Sequence, residues 1–158
     1  MSDSPKIAPF LWFDDNAEAA IDHYTSIFKN SKKLSVSRYG EAGPGPAGSV
    51  MVASFELEGQ TFIALNGGPM FKFNEAVSFA VNCDTQQEID ELWEKLTEEG
   101  EPGQCGWLKD KFGLSWQIVP SILPELMQGA GKSNRVMQAL MQMTKIDIQR
   151  LQEASNGG

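Results

Sequence analysis

Two segments of this chain follow one plan, and such a repeat limits the fold more than any local propensity does. In each, a short apolar strand leads into a capped helix, and further strands follow. The helix entries overlay as Ile21-Asp22-x-Tyr24 on Ile89-Asp90-x-Leu92. Identity between the copies is low, but the order strand–helix–strands is kept. The spacing predicts an α+β fold, one domain built of a module over 7–66 and a module over 76–119. The second copy is abbreviated, because 100–104 leaves little room for a full strand. Beyond Pro120 the pattern turns helical, giving a C-terminal segment over 121–154.

Within the first module, Ala8-Pro9-Phe10-Leu11-Trp12-Phe13 reads as a short buried strand. Asp15 with Glu18 three residues later is a cap signature for a helix carrying Ala20, Ile21, Tyr24, Ile27 and Phe28. Residues 34–39 alternate as a strand. The Gly/Pro run 40–48 is a loop long enough to act as a mobile flap. Two strands, 49–57 and 60–66, then form a hairpin around Glu58-Gly59. In the second module, 76–83 is a strand, and Thr85 with Glu88 forms a capping box. Its helix carries Ile89, Leu92, Trp93 and Leu96 and stops at Gly100. Strands at 104–109 and 115–119 close the module. In the tail, Ser133 caps a helix whose Met-rich stripe is Val136, Met137, Leu140, Met141 and Met143. Thr144 with Asp147 caps Ile146, Ile148 and Leu151. That stripe fits packing against its own domain or a second subunit better than it fits a peptide groove.

Strand alternation separates two faces. Val77, Phe79 and Val81 oppose Ser78, Ala80 and Asn82. Ile63 and Leu65 oppose Ala64 and Asn66. After the tight turn Asp110-x-x-Gly113, Gln117 opposes Trp116 and Ile118. A helix-covered apolar face and a smaller, more polar open face follow. The open face is expected to carry Phe10, Trp12, Asn66, Ser78, Trp107 and Gln117, a mix suited to an apolar or aromatic molecule held by a few hydrogen bonds. The other reading of the polar members is that they satisfy one another or bound water.

Several function classes are poorly supported. The formal net charge is −8, and the densest basic cluster, Lys29, Lys32 and Lys33, is small, so no nucleic-acid partner is expected. No apolar run approaches the length of a membrane span, and the N-terminus lacks an apolar signal core, so a cytoplasmic protein without a membrane partner is expected. Cys83 and Cys105, the two cysteines, then read as free thiols. Cys105 beside Lys109 and Lys111 has some character of a nucleophile, but a catalytic thiol needs a positioned base, and His23 is the one histidine, far along the chain. Asp14-Asp15 reads as helix capping, and Glu56 and Glu58 as solvated turn residues.

Four motifs together carry a resemblance. They are Pro9-Phe10-Leu11-Trp12-Phe13, Ala64-Leu65-Asn66-Gly67-Gly68-Pro69, Phe73-Asn74-Glu75-Ala76-Val77-Ser78-Phe79 and Cys105-Gly106-Trp107-Leu108-Lys109-Asp110, with Met143-Thr144-Lys145-Ile146-Asp147-Ile148 in the tail. Over 7–150 the chain resembles the vicinal-oxygen-chelate (glyoxalase/bleomycin-resistance/dioxygenase) superfamily. Within it, the chain is similar to the PhnB-like group labelled 3-demethylubiquinone-9 3-methyltransferase-like. The resemblance implies tandem βαβββ modules forming a curved mixed sheet with C-terminal helices, and a homodimer, since related folds complete their cups by pairing or swapping modules.

It also implies metal-ligand positions on four strands. Here these fall on Pro9 or Phe10, Ala64 or Asn66, Ser78, and Gln117, the last replacing the usual Glu. None is His, Asp or Glu, so no metal and no cofactor are expected. The methyltransferase label calls for a Gly-rich strand-to-helix turn, whereas the run 43–48 carries Pro44 and Pro46 and leads into a strand. The expected function is metal-independent binding of a small apolar or aromatic molecule, with sequestration of the antibiotic-resistance kind as one form of it. The alternative is a metal-dependent lyase, isomerase or dioxygenase of the same superfamily. Whether catalysis occurs is left open.

Overall fold

The strand–helix–strands plan holds in both copies, and the pairing order is the same in each. The structure is a computed structural model in which residues 5–157 are described. It divides into two units, 1–73 and 74–158. The first contains β1 (Phe10–Phe13), α1 (Ala17–Ile27), β2 (Ser31–Arg38), β3 (Val50–Leu57) and β4 (Gln60–Asn66). Its sheet runs β1-β4-β3-β2, with β1 parallel to β4 and the other pairs antiparallel. The second contains β5 (Ser78–Cys83), α2 (Gln86–Thr97), β6 (Glu101–Pro102), β7 (Trp107–Lys109) and β8 (Ser115–Pro120). Its sheet runs β5-β8-β7-β6, again with one parallel pair, β5 and β8. The expected abbreviation falls on β6, which has two residues. Each copy is therefore a βαβββ module with its own four-stranded mixed sheet.

One face of each sheet is closed by the module's helix. In the first, Ala17, Ala20, Ile21, Tyr24 and Ile27 of α1 are buried, and the Tyr24 ring stacks over Phe55, which stacks in turn on Phe62. In the second, Ile89, Leu92 and Leu96 of α2 are buried, as are Leu108, Trp116 and Ile118 of the sheet. Thr85 caps α2 as expected, its hydroxyl accepting from Glu88 N at 3.1 Å. The hairpin turns at Glu58 and Gly59, both with positive φ, which fits a tight two-residue connection. Lys32 and Lys33 lie on β2, an edge strand where charge discourages further pairing.

Several local expectations are corrected. Asp15 does not cap α1; the N-cap residue is Asn16, without a side-chain cap bond. The run 40–48 is no free flap. It folds around Tyr39, whose backbone bonds Gly48 and Ser49, and Gly43 and Gly45 lie so near that ring that a Cβ on Gly45 would come within 2.5 Å of it. β7 starts at Trp107 rather than near residue 104, because Cys105 and Gly106 have positive φ and give their N–H groups to Met143 O and Thr144 O.

The tail forms α3 (Leu123–Leu126), α4 (Ala130–Leu140) and α5 (Ile148–Ser155). Ser133 lies inside α4, which begins three residues earlier, and the cap of α5 is Asp147 itself, accepting from Arg150 N. Val136, Leu140, Met143, Ile146 and Leu151 make a core of their own. Met137 and Met141 of the expected stripe are exposed, because they fall on the far side of α4.

Candidate functional site

The face away from each helix holds the candidate binding groups. In the first sheet, Phe10 pairs with Ile63 and Trp12 with Leu65, and Leu65 also pairs with Val52. Register partners project to the same side, so these five share a face. Phe10 is 56% exposed and the other four are partly buried. The Trp12 indole is held in place: its Nε1 donates to Gly68 O at 2.9 Å, and Phe71 meets the ring edge-on at 4.9 Å. Gly67 has no room for a Cβ against that indole, which explains a glycine there.

Asn66 is on the other side. It shares alternation with Phe62 and Ala64, which are buried under α1. Its Oδ1 accepts from Ala17 N at 2.9 Å and its Nδ2 donates to Val50 O at 3.0 Å, while its own carbonyl accepts from the Tyr39 hydroxyl. Expectation had the two faces of β4 exchanged. Ala64 is fully buried, and the open face bears Ile63 and Leu65, which makes it more apolar than anticipated.

In the second sheet, Gln117 does point away from Trp116 and Ile118. Its Nε2 donates to Ser78 Oγ at 3.0 Å, and Trp107 is its register partner on β7. These three expected residues therefore share one face. Alternation adds Ser115 and Lys109, directly paired there, which the sequence reading passed over although i and i+2 periodicity places Ser115 with Gln117. Lys109 forms an ion pair with Glu75. The pair holds the Glu75 carboxyl below its usual range and the Lys109 ammonium above its own. Both groups are substantially exposed, so the pair adds little stability.

Other chemistry is weakly supported. Both cysteines are free. Cys83 is buried, and that burial, aided by nearby Glu88, pushes its thiol up to about 12, which keeps it unreactive. Lys111 pairs with Glu99 and Lys109 with Glu75, so the lysines near Cys105 in sequence have other partners. Asp110 is structural: it accepts from Phe112 N, Leu114 N and, at 2.9 Å, Trp116 Nε1.

The residues do not fit a transition-metal centre. Among the described residues no three His, Cys, Asp or Glu side chains gather as an ion would require. The mapped strand positions offer a ring, a methyl group, a hydroxyl and amides, which are poor ligands for such ions. Nor do the strand-to-helix turns suit a nucleotide-type cofactor. β1 reaches α1 through Asp14-Asp15-Asn16, and β5 reaches α2 through Asp84-Thr85, without a glycine. Two of the helix-entry amides, Ala17 N and Glu88 N, are already taken by side chains.

Comparison with known proteins places this geometry. The model of the family described as 3-demethylubiquinone-9 3-methyltransferase matches residues 5–119. The PhnB protein from Bacillus cereus is 40% identical, over 73% of this chain and 99% of that one, with a TM-score of 0.68. Protein PA1353 from Pseudomonas aeruginosa is 22% identical over 74% and 98%, with a TM-score of 0.61. The fosfomycin resistance protein FosX from Listeria monocytogenes, solved with Mn(II) and sulfate, is 15% identical over 81% and 98%, with a TM-score of 0.53. The last two show the shared fold alone. No curated protein matches. The tail beyond residue 119, part of which entered the sequence resemblance, lies outside the matched segment. The chain has the glyoxalase/bleomycin-resistance/dioxygenase fold and belongs to the family described as 3-demethylubiquinone-9 3-methyltransferase.

Proposed function

We propose that this protein binds a small apolar or aromatic molecule on its open sheet faces without a metal ion, and that the methyltransferase name describes the family rather than this chain's chemistry. The observation that carries the reading is the composition of those faces. Phe10, Trp12, Val52, Ile63 and Leu65 supply apolar surface in one module, and Trp107 with the Gln117–Ser78 pair supplies a ring and hydrogen bonds in the other. Each face by itself offers apolar or ring surface, and the second adds hydrogen-bonding groups, as small-molecule sites do. Gln117 stands where the superfamily resemblance implies a metal-binding Glu, and a neutral amide does not replace a carboxylate as an ion ligand.

The test is elemental analysis of tag-free protein after incubation with Ni²⁺, Zn²⁺, Fe²⁺ and Mn²⁺ and desalting, followed by a thermal-shift screen of apolar and aromatic compounds. The expected result is below about a tenth of an equivalent of any ion, with stabilisation by members of the screen. Close to one equivalent per chain would instead support the metal-dependent lyase, isomerase or dioxygenase reading, as would turnover that depends on the ion.

The working unit in this proposal is a cytoplasmic homodimer. Exposed Ile7, Phe10, Met70 and Phe71 in the first unit provide apolar surface of the kind that subunit contacts use. Size-exclusion chromatography with light scattering should give twice the chain mass of 17.4 kDa; a stable monomer at micromolar concentration would remove the dimer. Among the described residues no helix is long and apolar enough to cross a membrane.

A further inference from the structure

A cavity of about 260 Å³ opens beside β7 and β8 in the second module, and its lining includes Glu75, Glu101, Pro102, Trp107, Lys109 and Ser115. It adjoins the face that carries Gln117, yet neither Gln117 nor Ser78 lines it. Those two are bonded to each other. Ser115 differs from them. It is 1% exposed, and among the described residues its Oγ has no hydrogen-bond partner. A buried hydroxyl left unpaired costs stability, and such groups in folded proteins call for a reason of their own.

The walls state what would fit. Pro102 and Trp107 are apolar, and the volume lies just under the roughly 300–1,000 Å³ of drug-sized clefts, so it suits a single ring. Two carboxylates, Glu75 and Glu101, stand against one ammonium, Lys109, which disfavours an anion.

We propose that this cavity binds one uncharged aromatic ring bearing a hydroxyl or amino group, with that group bonded to Ser115 Oγ and the ring against Trp107. The proposal rests on the small-molecule reading above and adds its anchor and the class of ligand.

Phenol and toluene are suitable probes, titrated into the full-length protein and its Ser115→Ala variant and followed by amide NMR. Phenol should shift the Gly103, Lys109 and Ser115 amides saturably. Ser115→Ala should weaken phenol about five-fold, the equivalent of one neutral hydrogen bond, and leave toluene unchanged. The variant should also melt a few degrees higher, since it removes an unpaired buried group. Phenol shifts confined to other amides, equal weakening of both probes, or a variant that melts lower would each overturn the proposal. Failure here is separable from failure of the wider reading. If other aromatic compounds stabilise the protein while phenol leaves these amides unmoved, the Ser115 anchor alone is lost; if nothing in the screen binds either, both fall.

Discussion

Asn66 shows how one side chain can decide which face of a strand is open. Its amide closes the backbone valences of Ala17 and Val50, both buried, so it works as the cap that Asp15 was expected to supply. An Asn closing a strand of alternating Ile, Ala and Leu reads from sequence as a polar group on the open face. Nothing local distinguishes that from a partner 49 residues away. Gln117 was legible for the opposite reason: Trp116 and Ile118 flank it, and a pleated strand cannot bury all three on one side. Asn66→Ala would strand one buried N–H and remove a donor from one buried carbonyl. The expected loss is about 2–3 kcal/mol of stability in urea unfolding, from the desolvation cost of unpaired groups. A change within about 0.5 kcal/mol, the usual range for surface substitutions, would mean that water takes over both bonds.

Among the elements, some closures over three or four residues were readable, although the Asp15–Glu18 and Thr144–Asp147 pairs did not cap their helices as expected. The α2 cap, the Glu58-Gly59 hairpin and the Asp110-to-Gly113 turn all close over short spans. What depended on the tail was not. Residues 104–106 look like the start of a strand until Met143 and Thr144 claim the N–H groups of Cys105 and Gly106. Gln86 completes that seam, donating to Ile146 O at 2.9 Å and accepting from Ile148 N at 2.8 Å. The family match ends at residue 119, so these bonds join a shared module to a segment beyond the match. Gly106 is packed closely at this seam. Its φ is +85°, and a Cβ there would stand 2.7 Å from Ile146 Cδ1 and 2.8 Å from Ile118 O. The isoleucine tip can yield, but the carbonyl belongs to a central strand. Gly106→Ala should therefore cost about 2 kcal/mol or more through backbone strain and overpacking. Limited proteolysis should show new cleavage within 121–157 as the tail loosens. A variant with unchanged melting temperature and an uncut tail would show that the seam is slack.

Duplication gives the molecule two sheets of the same order, and the positions that the superfamily resemblance maps as metal ligands are spread over both. In the first module the mapped positions hold Pro9 or Phe10 and either Ala64 or Asn66; in the second they hold Ser78 and Gln117. That distribution makes a single reversion a sharp test. Gln117→Glu restores the side chain that the superfamily resemblance implies, at a site where the present amide donates to Ser78. If Gln117 alone had silenced an otherwise intact centre, the variant would recover an ion. Catalytic zinc sites, however, draw on about three protein ligands, and one carboxylate with a hydroxyl falls short of that. The expected outcome is below about a tenth of an equivalent of Mn²⁺ or Zn²⁺ after desalting. The variant should also be less stable than the parent at neutral pH and recover as pH falls. A carboxylate there would be partly desolvated and bonded to the Ser78 hydroxyl, while the Lys109 ammonium on that face is already paired with Glu75; its pKa is raised, so its neutral form is the one the fold favours. Stoichiometric metal in Gln117→Glu would show that the remaining ligands are already in place, and that this chain lies one substitution from a metalloenzyme rather than committed to a metal-free pocket.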